Sequence, residues 1–385
     1  MKLGIPKEII QNETRVALIP QSVKKITSKG IQVLIEQNAG QAAYFFDENY
    51  KEAGAEIVKS PMELFASADL VMKINKPEFN EKADEYEINM MKEGSCLVSL
   101  LQPATNVDGI QRLVSRKISA FSLDSIPRIT RAQSMDVLSA MSTIAGYKAV
   151  LIAAANLPKF FPMFMTAAGT IAPAKVFVIG AGVAGLQAIA TARRLGAVVE
   201  AFDTRPVVKE QIESLGARFV SFDLKGEKTE GEGGYAKQLS SDSHKRELEF
   251  MAEQIKRFDV VITTAQIPGK RAPVLISEKA VLGMQPGSVI VDLAADMGGN
   301  CELTELGKDV IKNGVKICGP INLPSSMPMH ASQMFSKNME SVISLLVKDK
   351  LLNLDLNDEI IKGALITHQG VVLKEDIKHL LAKVH

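Results

Sequence analysis

The feature that most constrains the fold is a glycine-rich turn between a strand-like run and a helix-like run. Residues 176–179 are apolar and strand-forming, and Gly180, Gly182 and Gly185 follow in the spacing GxGxxG. Residues 183–195 then repeat Ala, Leu and Ile at helical spacing. Strand, glycine turn and helix in this order predict a βαβ unit, and therefore a parallel sheet covered by helices.

Each glycine of this turn has a physical task if the turn binds a dinucleotide. Gly180 permits the tight turn, Gly182 lets a pyrophosphate approach the backbone, and Gly185 lets helix and strand pack closely. The free N–H groups of the first helical turn, which includes Val183 and Ala184, can bind phosphate oxygens. A lone GxGxxG is weak, so a glycine-rich turn without a ligand remains the alternative; the flanking strand and helix favour a dinucleotide.

A second strand pattern, 198–202, ends at Asp203, close to the roughly 20-residue spacing at which such motifs place an acidic residue. Its carboxylate can accept hydrogen bonds from both ribose hydroxyls of an adenosine, and it would repel a 2′-phosphate. The sequence therefore predicts NAD(H) rather than NADP(H), although Arg205 could soften that preference. The other residues predicted to bind the cofactor are Thr204, Arg205, Thr264 and Ala265.

The alternation of strand and helix patterns predicts an α/β protein with two doubly wound, Rossmann-like domains and mainly parallel sheets. The strand candidates are 2–5, 32–36, 55–58, 70–73, 96–100, 118–122, 176–179, 198–202, 218–221, 260–264, 288–293 and 315–318. Residues 136–155 form a long helix pattern that we interpret as a crossing between the domains. We expect an N-terminal domain of residues 1–137, completed by the C-terminal helices of about 325–385, and an NAD-binding domain of residues 138–324. The C-terminal helix patterns are 333–349 and 375–383.

Composition excludes some classes of partner. With 45 basic and 44 acidic residues the net charge is +1, so nothing favours nucleic acid or an anionic membrane surface. We expect no membrane insertion, because the charge-free stretches 160–174 and 176–192 are shorter than the roughly 20 residues that a bilayer requires. The N-terminus shows no apolar signal region, which predicts a cytoplasmic chain.

Cysteines and histidines narrow the chemistry further. Cys96, Cys301 and Cys318 lie far apart without a CxxC pair, which predicts buried, reduced thiols. Because His244 is the first of the five histidines, the N-terminal half has no histidine for a metal site or for acid–base catalysis. His368 is expected on the surface or in a turn.

A second candidate site is a polar segment that begins at Arg128 and ends at Ser139. Arg128 carries a forked guanidinium, and Gln133 carries an amide that both donates and accepts. Asp136 and Ser139 share one helix face. Such a set can orient a carboxamide and a ribose, but it offers no proton-transfer group. The alternative, which the spacing alone favours, is that Ser134 or Asp136 caps the next helix while the arginines are solvated.

The polar segment 223–244 contains several glycines and one aromatic residue, Tyr235. A loop of this length inside a compact domain is usually functional or disordered. We therefore treat it as a third candidate for a functional segment.

With these residues in hand, the chain resembles the family that joins alanine dehydrogenase to the NAD-binding alpha subunit of proton-translocating transhydrogenase. The resemblance covers essentially the whole chain. The first shared signature is the run GIPKE, NETRVA and Pro20 near the N-terminus, and the second is 178–203. The transhydrogenase branch is favoured by the runs PRITRAQSMD, SAMSTIAGYKAV, FPMFMTAAGTIAPAKVFVIGAGVAGLQAIATARRLGA, GEGGYAKQL and VIVDLAADMGGNCELTE.

The resemblance implies roles for the candidate residues. The segment from Arg128 to Ser139 would hold the nicotinamide end of NAD(H), and the loop around Tyr235 would close over the bound nucleotide. It also implies a homodimer. These roles are consequences of the resemblance and do not follow from spacing.

The alanine dehydrogenase branch requires acid–base groups, because its chemistry deprotonates and hydrates an imine. Where that branch has a Lys and a His, this chain has Asn75 and Gln102, with Lys76 one place away. Arg15, which would bind a substrate carboxylate, is retained, as is Asp296 in the AADMGG run. Transhydrogenation needs no such groups, since hydride passes directly between two nicotinamides that the protein must orient.

The chain has one dinucleotide fingerprint, so NADP(H) is expected on a partner subunit. It ends at His385 without a membrane segment, which by resemblance predicts the split form of the alpha subunit with separate membrane-spanning partners. Those partners would couple hydride transfer to proton translocation and hold this chain at the cytoplasmic face of the inner membrane.

Two alternative functions stay open. The first is an alanine dehydrogenase-like amino-acid oxidoreductase, against which Asn75 and Gln102 argue. The second is a non-catalytic NAD(H)-binding regulator, which explains the missing acid–base groups equally well but the polar segment from Arg128 to Ser139 less naturally.

Overall fold

The structure is a computed structural model that describes residues 1–222, 240–267 and 271–382. The predicted loop residue Tyr235 lies outside the described residues. The chain divides into two compact units, Met1–Met141 with Pro324–His385 (unit 1) and Ser142–Leu323 (unit 2).

The strands of the described residues are short and are numbered here in chain order. They are β1 (Lys2–Ile5), β2 (Gln32–Glu36), β3 (Glu56–Val58), β4 (Leu70–Met72), β5 (Phe79–Asn80), β6 (Glu85–Tyr86), β7 (Cys96–Ser99), β8 (Ser119–Ser122), β9 (Phe164–Thr166), β10 (Gly169–Ile171), β11 (Lys175–Ile179), β12 (Val198–Phe202), β13 (Arg218–Phe219), β14 (Val260–Thr263), β15 (Val289–Asp292), β16 (Asp309–Lys312), β17 (Val315–Cys318), β18 (Val347–Lys348), β19 (Leu351–Leu352), β20 (Leu365–His368) and β21 (Val371–Val372).

The helices of the described residues are numbered in the same way. They are α1 (Pro20–Ser28), α2 (Asp47–Glu52), α3 (Pro61–Ser67), α4 (Glu87–Met90), α5 (Val107–Ser115), α6 (Val137–Asn156), α7 (Val183–Arg194), α8 (Lys209–Ser214), α9 (Ser241–Ile255), α10 (Glu278–Leu282), α11 (Pro328–Leu346), α12 (Glu359–Ala364) and α13 (Glu375–Ala382).

Unit 1 is built on an eight-stranded sheet in the order β21-β20-β8-β7-β4-β1-β2-β3. The strands from β8 to β3 are parallel, and β20 and β21 extend the sheet with antiparallel pairs. The C-terminal segment was expected to contribute helices, so strands β20 and β21 correct that expectation. Their patterns are only a few residues long, and β20 pairs with β8, far away in the sequence.

Unit 2 is built on a seven-stranded sheet in the order β13-β12-β11-β14-β15-β17-β16. All neighbouring pairs are parallel except β16 with β17. The strand order reverses between β11 and β14, so the sheet is doubly wound. Two apolar clusters cover the sheet, one containing Val176 and Val178 and the other Phe177 and Ile179. Strand residues therefore alternate between two buried faces, and the predicted α/β fold with two mainly parallel sheets is confirmed.

Helix α6 begins in unit 1 and continues in unit 2. Among the described residues it is the one helix long and apolar enough to cross a bilayer, by length and composition alone. Lys148 interrupts its apolar run, so the sequence shows no long charge-free stretch here. A core helix meets the same criterion, and Ala149, Val150 and Ala153 are buried in an apolar cluster of unit 2.

A short antiparallel hairpin, β9 with β10, follows α6. The sequence predicted only that prolines break the chain here. The hairpin and its entry expose large apolar side chains, with Met165 78% exposed. The others are Phe160, Met163, Phe164 and Ile171. The apolar stretch at 160–174 thus forms a surface element with an apolar face.

All three cysteines are free and buried, as predicted. Burial raises the pKa of Cys96 to about 12 and that of Cys301 to about 11, which keeps both as thiols at neutral pH. His368 ends strand β20 instead of lying in a turn, and its Nδ1 lies 2.9 Å from the Oγ of Ser119.

Candidate functional site

The carboxyl ends of β11 and β14 form one edge of the unit 2 sheet. Gly180 follows β11 with φ +95°, a left-handed conformation that favours glycine. Thr264 follows β14, and its backbone N–H donates to the carbonyl of Ile179 at 2.9 Å while its Oγ1 donates to the carbonyl of Gly180 at 3.0 Å. Because the strand order reverses here, this edge is the position at which doubly wound sheets bind ligands.

The three glycines of the fingerprint have different surroundings. A Cβ on Gly185 would lie 1.9 Å from the carbonyl oxygen of Gly180, so no larger residue fits there. A Cβ on Gly182 would meet nothing within 4 Å, and Gly182 has an ordinary extended backbone at the start of α7. The left-handed φ therefore explains Gly180 and close packing explains Gly185, whereas the open space beside Gly182 fits a ligand that approaches the backbone.

Asp203 is buried at the end of β12, where the sequence predicted the ribose-binding carboxylate. Its Oδ2 accepts hydrogen bonds from the backbone N–H of Ala181 at 2.7 Å and from Nη2 of Arg205 at 2.8 Å. Its Oδ1 accepts from the backbone N–H and the Nε of Arg205, both at 2.9 Å. The predicted pair Asp203 and Arg205 is thus brought together, with Thr204 between them.

A second carboxylate lies near Asp203. Glu247 of α9 is buried, and its burial raises its pKa; Asp203 adds to the rise, and the hydrogen bond and charge of His244 oppose it. Nδ1 of His244 lies 3.3 Å from the carboxylate of Glu247. Asp203 and Glu247 are thus two buried acidic side chains that interact in unit 2.

Two buried residues stabilise the loops beside this edge of the sheet. The sequence analysis did not single out either of them. The first, Asn300, pairs with Ala265 through both backbone groups: its Oδ1 accepts from the N–H at 3.0 Å, and its Nδ2 donates to the carbonyl at 2.8 Å. The same Nδ2 donates to the carbonyl of Pro273 at 2.8 Å. Asn300 therefore fixes the backbone of the predicted cofactor-binding residue Ala265.

The second, Asp292 at the end of β15, organises the neighbouring loop. Its buried carboxylate accepts five hydrogen bonds from described residues, including those from the backbone N–H groups of Asn300 at 2.8 Å and Cys301 at 3.0 Å. The other donors are Thr263 Oγ1, the Ala294 N–H and Thr304 Oγ1. The resemblance singled out Asp296, which is exposed, whereas a carboxylate ending a buried strand was the signal for Asp292.

In unit 1, the polar segment at the start of α6 brings Asp136 and Ser139 together. Asp136 accepts hydrogen bonds from the backbone N–H of Ser139 at 2.9 Å and from its Oγ at 2.6 Å, so it caps the helix. Arg128 and Gln133 are exposed. The capping alternative is therefore realised for Asp136, and it leaves the side chain of Gln133 accessible.

Arg131 of the same segment has a structural partner. Its Nη1 and Nη2 donate to Asp358 at 2.7 and 3.0 Å. Asp358 in turn caps α12. Arg131 thus ties the polar segment to the C-terminal segment of unit 1.

Asn75 stands where the alanine dehydrogenase branch has its acid–base lysine. In unit 1 it lies in a network of hydrogen bonds with buried charged side chains. Arg15 donates to Glu13 from Nε at 2.7 Å and from Nη2 at 2.6 Å, and both side chains are buried. The Nδ2 of Asn75 bridges Glu13 at 3.0 Å and Glu8 at 3.1 Å. A cavity of about 170 Å³ beside Arg15 is lined by Lys7, Glu8, Glu13, Thr14, Asn38, Ala39, Gln41 and Ala42.

The lysines near this network are also paired. Lys76 forms an ion pair with Glu78 at 2.5 Å, and the fully buried Lys73 forms one with Glu87 at 2.5 Å. Burial alone would lower the pKa of Lys73, but the charges of Glu87, Glu8 and Glu36, together with the hydrogen bond to Glu87, outweigh it and raise the pKa. Among the described residues, no cluster of His, Cys, Asp or Glu could hold a metal ion.

Comparison with known protein families shows which family the chain resembles over its two halves. Residues 4–145 match the description "Alanine dehydrogenase/PNT, N-terminal domain", and residues 149–375 match "Alanine dehydrogenase/PNT, C-terminal domain". The chain belongs to the alanine dehydrogenase/PNT family. The resemblance expected from the sequence is therefore confirmed.

Within this family, the chain is 46% identical over 376 residues to a Rhodospirillum rubrum protein named as the first segment of NAD(P) transhydrogenase subunit alpha, covering 97% of this chain and 98% of that protein. A crystal structure of a transhydrogenase from Sinorhizobium meliloti superposes with a TM-score of 0.84 at 39% identity, covering 97% of this chain and 99% of the other. A Staphylococcus aureus protein named alanine dehydrogenase 2 is 33% identical, over 85% of this chain and 82% of that protein. Similarity to the transhydrogenase branch is thus higher than to this alanine dehydrogenase.

Proposed function

We propose that this alanine dehydrogenase/PNT family member is the NAD(H)-binding catalytic subunit of a proton-translocating NAD(P) transhydrogenase. The observation that carries the proposal is the 46% identity, over nearly the full length of both chains, to the Rhodospirillum rubrum transhydrogenase alpha subunit. The closed Arg15–Glu13–Asn75 network supports it, because a dehydrogenase of this family would need an acid–base lysine at position 75.

The adenosine half of NAD(H) is assigned to unit 2. The pyrophosphate would approach the open backbone at Gly182 and the first turn of α7, and Asp203 would accept the ribose hydroxyls. Thr264 and Ala265 would border the nucleotide at the end of β14. Bound NADH supplies the hydride, and the chain supplies orientation.

The nicotinamide half is assigned to Arg128, Gln133, Asp136 and Ser139. The amide of Gln133 matches a carboxamide, which both donates and accepts, and the Asp136–Ser139 pair offers hydroxyl and carboxylate groups to a ribose. None of these groups has to transfer a proton, since direct hydride transfer between two nicotinamides moves none. Orientation and water exclusion are then the whole catalytic task.

The partners follow from the same proposal. NADP(H) would be bound by a separate subunit, and membrane-spanning subunits would couple hydride transfer to proton translocation at the cytoplasmic face of the inner membrane.

A second copy of this chain would complete a homodimer. The exposed apolar hairpin β9–β10 supports the dimer, because contiguous exposed apolar side chains are typical of an interface.

The decisive experiment reconstitutes hydride transfer. The purified chain, an NADP⁺-loaded transhydrogenase partner subunit and NADH are combined without amino or keto acid, and reduction of NADP⁺ is followed. Rapid transfer that needs both proteins supports the proposal. NADH binding without transfer would favour a regulator, and NADH oxidation by pyruvate plus ammonium with this chain alone would favour an amino-acid dehydrogenase.

A further inference from the structure

The carboxylate of Asp203 is fully engaged by the protein itself. Within the described residues it accepts four hydrogen bonds, one from the backbone of Ala181 and three from Arg205. An ionised carboxylate has about four lone-pair positions. Ribose hydroxyls can therefore reach Asp203 only by replacing donors that are already in place.

The two side-chain hydrogen bonds of Arg205 are the ones that can be exchanged. The donors from the N–H groups of Ala181 and Arg205 belong to the backbone beside the fingerprint turn and β12, so they move only with the main chain. The guanidinium is held by rotatable side-chain bonds, and the side chain of Arg205 is 14% exposed, whereas the donor residue Ala181 is 1% exposed. The guanidinium is thus the donor group that solvent reaches more readily.

We propose that Arg205 is a specificity-determining residue that competes with ribose hydroxyls for Asp203, so that a nucleotide binds by displacing its guanidinium. This inference rests on the proposed NAD(H) site of unit 2. Two hydroxyl donors take the place of the Nε and Nη2 donors, and the number of hydrogen bonds to Asp203 is conserved.

The exchange distinguishes ribose from its variants. A 2′,3′-dideoxyribose has no donor to offer, so it leaves the Asp203–Arg205 pair intact and gains nothing from Asp203. A 2′-phosphate also lacks a donor at that position, and drawing Arg205 away would leave the buried carboxylate of Asp203 with only its two backbone donors beside a second negative charge. The pair therefore selects for free 2′- and 3′-hydroxyls.

The test is direct binding to the purified full chain. NADH is titrated by fluorescence, and ADP and 2′,3′-dideoxy-ADP are titrated as its competitors. In Arg205→Gln we expect NADH and ADP to bind about 10-fold more tightly, since charge-assisted hydrogen bonds no longer have to be broken, and dideoxy-ADP to bind as in the wild type. Arg205→Lys, which keeps the charge without the fork, should lie between.

Two controls separate competition from a structural role. Arg218→Gln removes a matched ion pair, with Glu200 on the same sheet, and should leave all three affinities unchanged. In an Asp203→Asn background the effect of Arg205→Gln should vanish, which a merely structural arginine would not produce. Thermal unfolding verifies that each variant is folded.

Two results would overturn the inference. Equal changes in affinity for ADP and dideoxy-ADP would mean that Arg205 shapes the turn, and weaker binding of ADP to Arg205→Gln would mean that Arg205 contacts the nucleotide. Either outcome leaves the proposed function standing, provided that the wild-type chain binds NADH and transfers hydride to the partner. A wild-type chain that binds no NADH would overturn both.

Discussion

Gly185 lies directly over the carbonyl oxygen of Gly180, so close that a Cβ at position 185 would stand 1.9 Å from that oxygen. This contact joins the first turn of α7 to the end of β11. It fixes the direction of the helix N-terminus, and therefore of its free N–H groups, toward the edge where the strand order reverses. The same helix start has open space at Gly182.

Substitution by alanine should have opposite effects at Gly185 and at Gly182. Gly185→Ala should lower the melting temperature strongly, because the clash is with backbone atoms that cannot rotate away. Gly182→Ala should keep the wild-type melting temperature but weaken NADH binding about 10-fold or more, because its methyl group would occupy the space of the pyrophosphate. Thermal unfolding and NADH fluorescence measure both; wild-type NADH affinity in Gly182→Ala would place the pyrophosphate elsewhere.

Gln133 and Asp136 should affect catalysis more than binding. We expect Gln133→Ala to slow hydride transfer to the partner by about 10-fold or more with little change in NADH affinity or stability, since its side chain is exposed. Asp136→Ala should add a stability loss of about 1 kcal/mol, because it removes the cap of α6. Ser134→Ala, on the exposed neighbouring position, is the matched control. Equal losses in affinity and transfer rate would contradict an orienting role.

Glu13 predicts a pH dependence of stability. Burial alone would raise its pKa, but the hydrogen bonds and charge of Arg15, with the hydrogen bonds of Ser325 and Asn75, lower the pKa to about 2 from 4.5. The resulting stabilisation is complete above the unfolded pKa of about 4.5 and disappears as the pH falls toward about 2, with a total of about 3 kcal/mol.

Urea unfolding at a series of pH values tests this prediction. Glu13→Gln should flatten the fall in the free energy of unfolding between pH 4.5 and about 2. Glu48→Gln, at an exposed site of the same unit, should leave the slope unchanged. An unaltered slope in Glu13→Gln would show that Glu13 is not the group that titrates there.

Asp292 predicts a large loss of stability from an isosteric change. Asp292→Asn removes one acceptor oxygen and leaves the N–H groups of Asn300 and Cys301 facing a donor, which should cost about 3 kcal/mol. Because Asn300 holds Ala265, NADH affinity should fall as well. Asp309→Asn, whose ion pair with Lys316 is exposed, should do neither. A wild-type unfolding free energy in Asp292→Asn would mean that the loop finds other acceptors.

The sequence predicted most of the strands because their patterns are local. The runs at β1, β2, β12 and β17 were expected with the bounds that the structure shows. The pairs β9–β10 and β20–β21 were missed, since they are short antiparallel pairs that depart from the alternation of single strands and helices by which the other strands were predicted.

Some residues of the candidate site could be predicted from the sequence, and others could not. Gly180, Gly182, Gly185 and Asp203 were found from the sequence, because a turn, a helix N-terminus and a strand end are set by neighbouring residues. Asn300 and Asp292 were not found, since their partners lie on other strands and loops. Their polar side chains became meaningful only once the fold had buried them.

The sequence by itself determined the alternation of strands and helices, the family, and the fingerprint that assigns a nucleotide to unit 2. Only the tertiary structure decided that Asn300 holds the backbone of Ala265, that Asn75 bridges Glu8 and Glu13, and that β20 joins the sheet beside β8. The physical reason is that residue periodicity and turn chemistry act within a few residues, whereas burial and the hydrogen bonds that burial demands depend on segments brought together from distant regions of the chain.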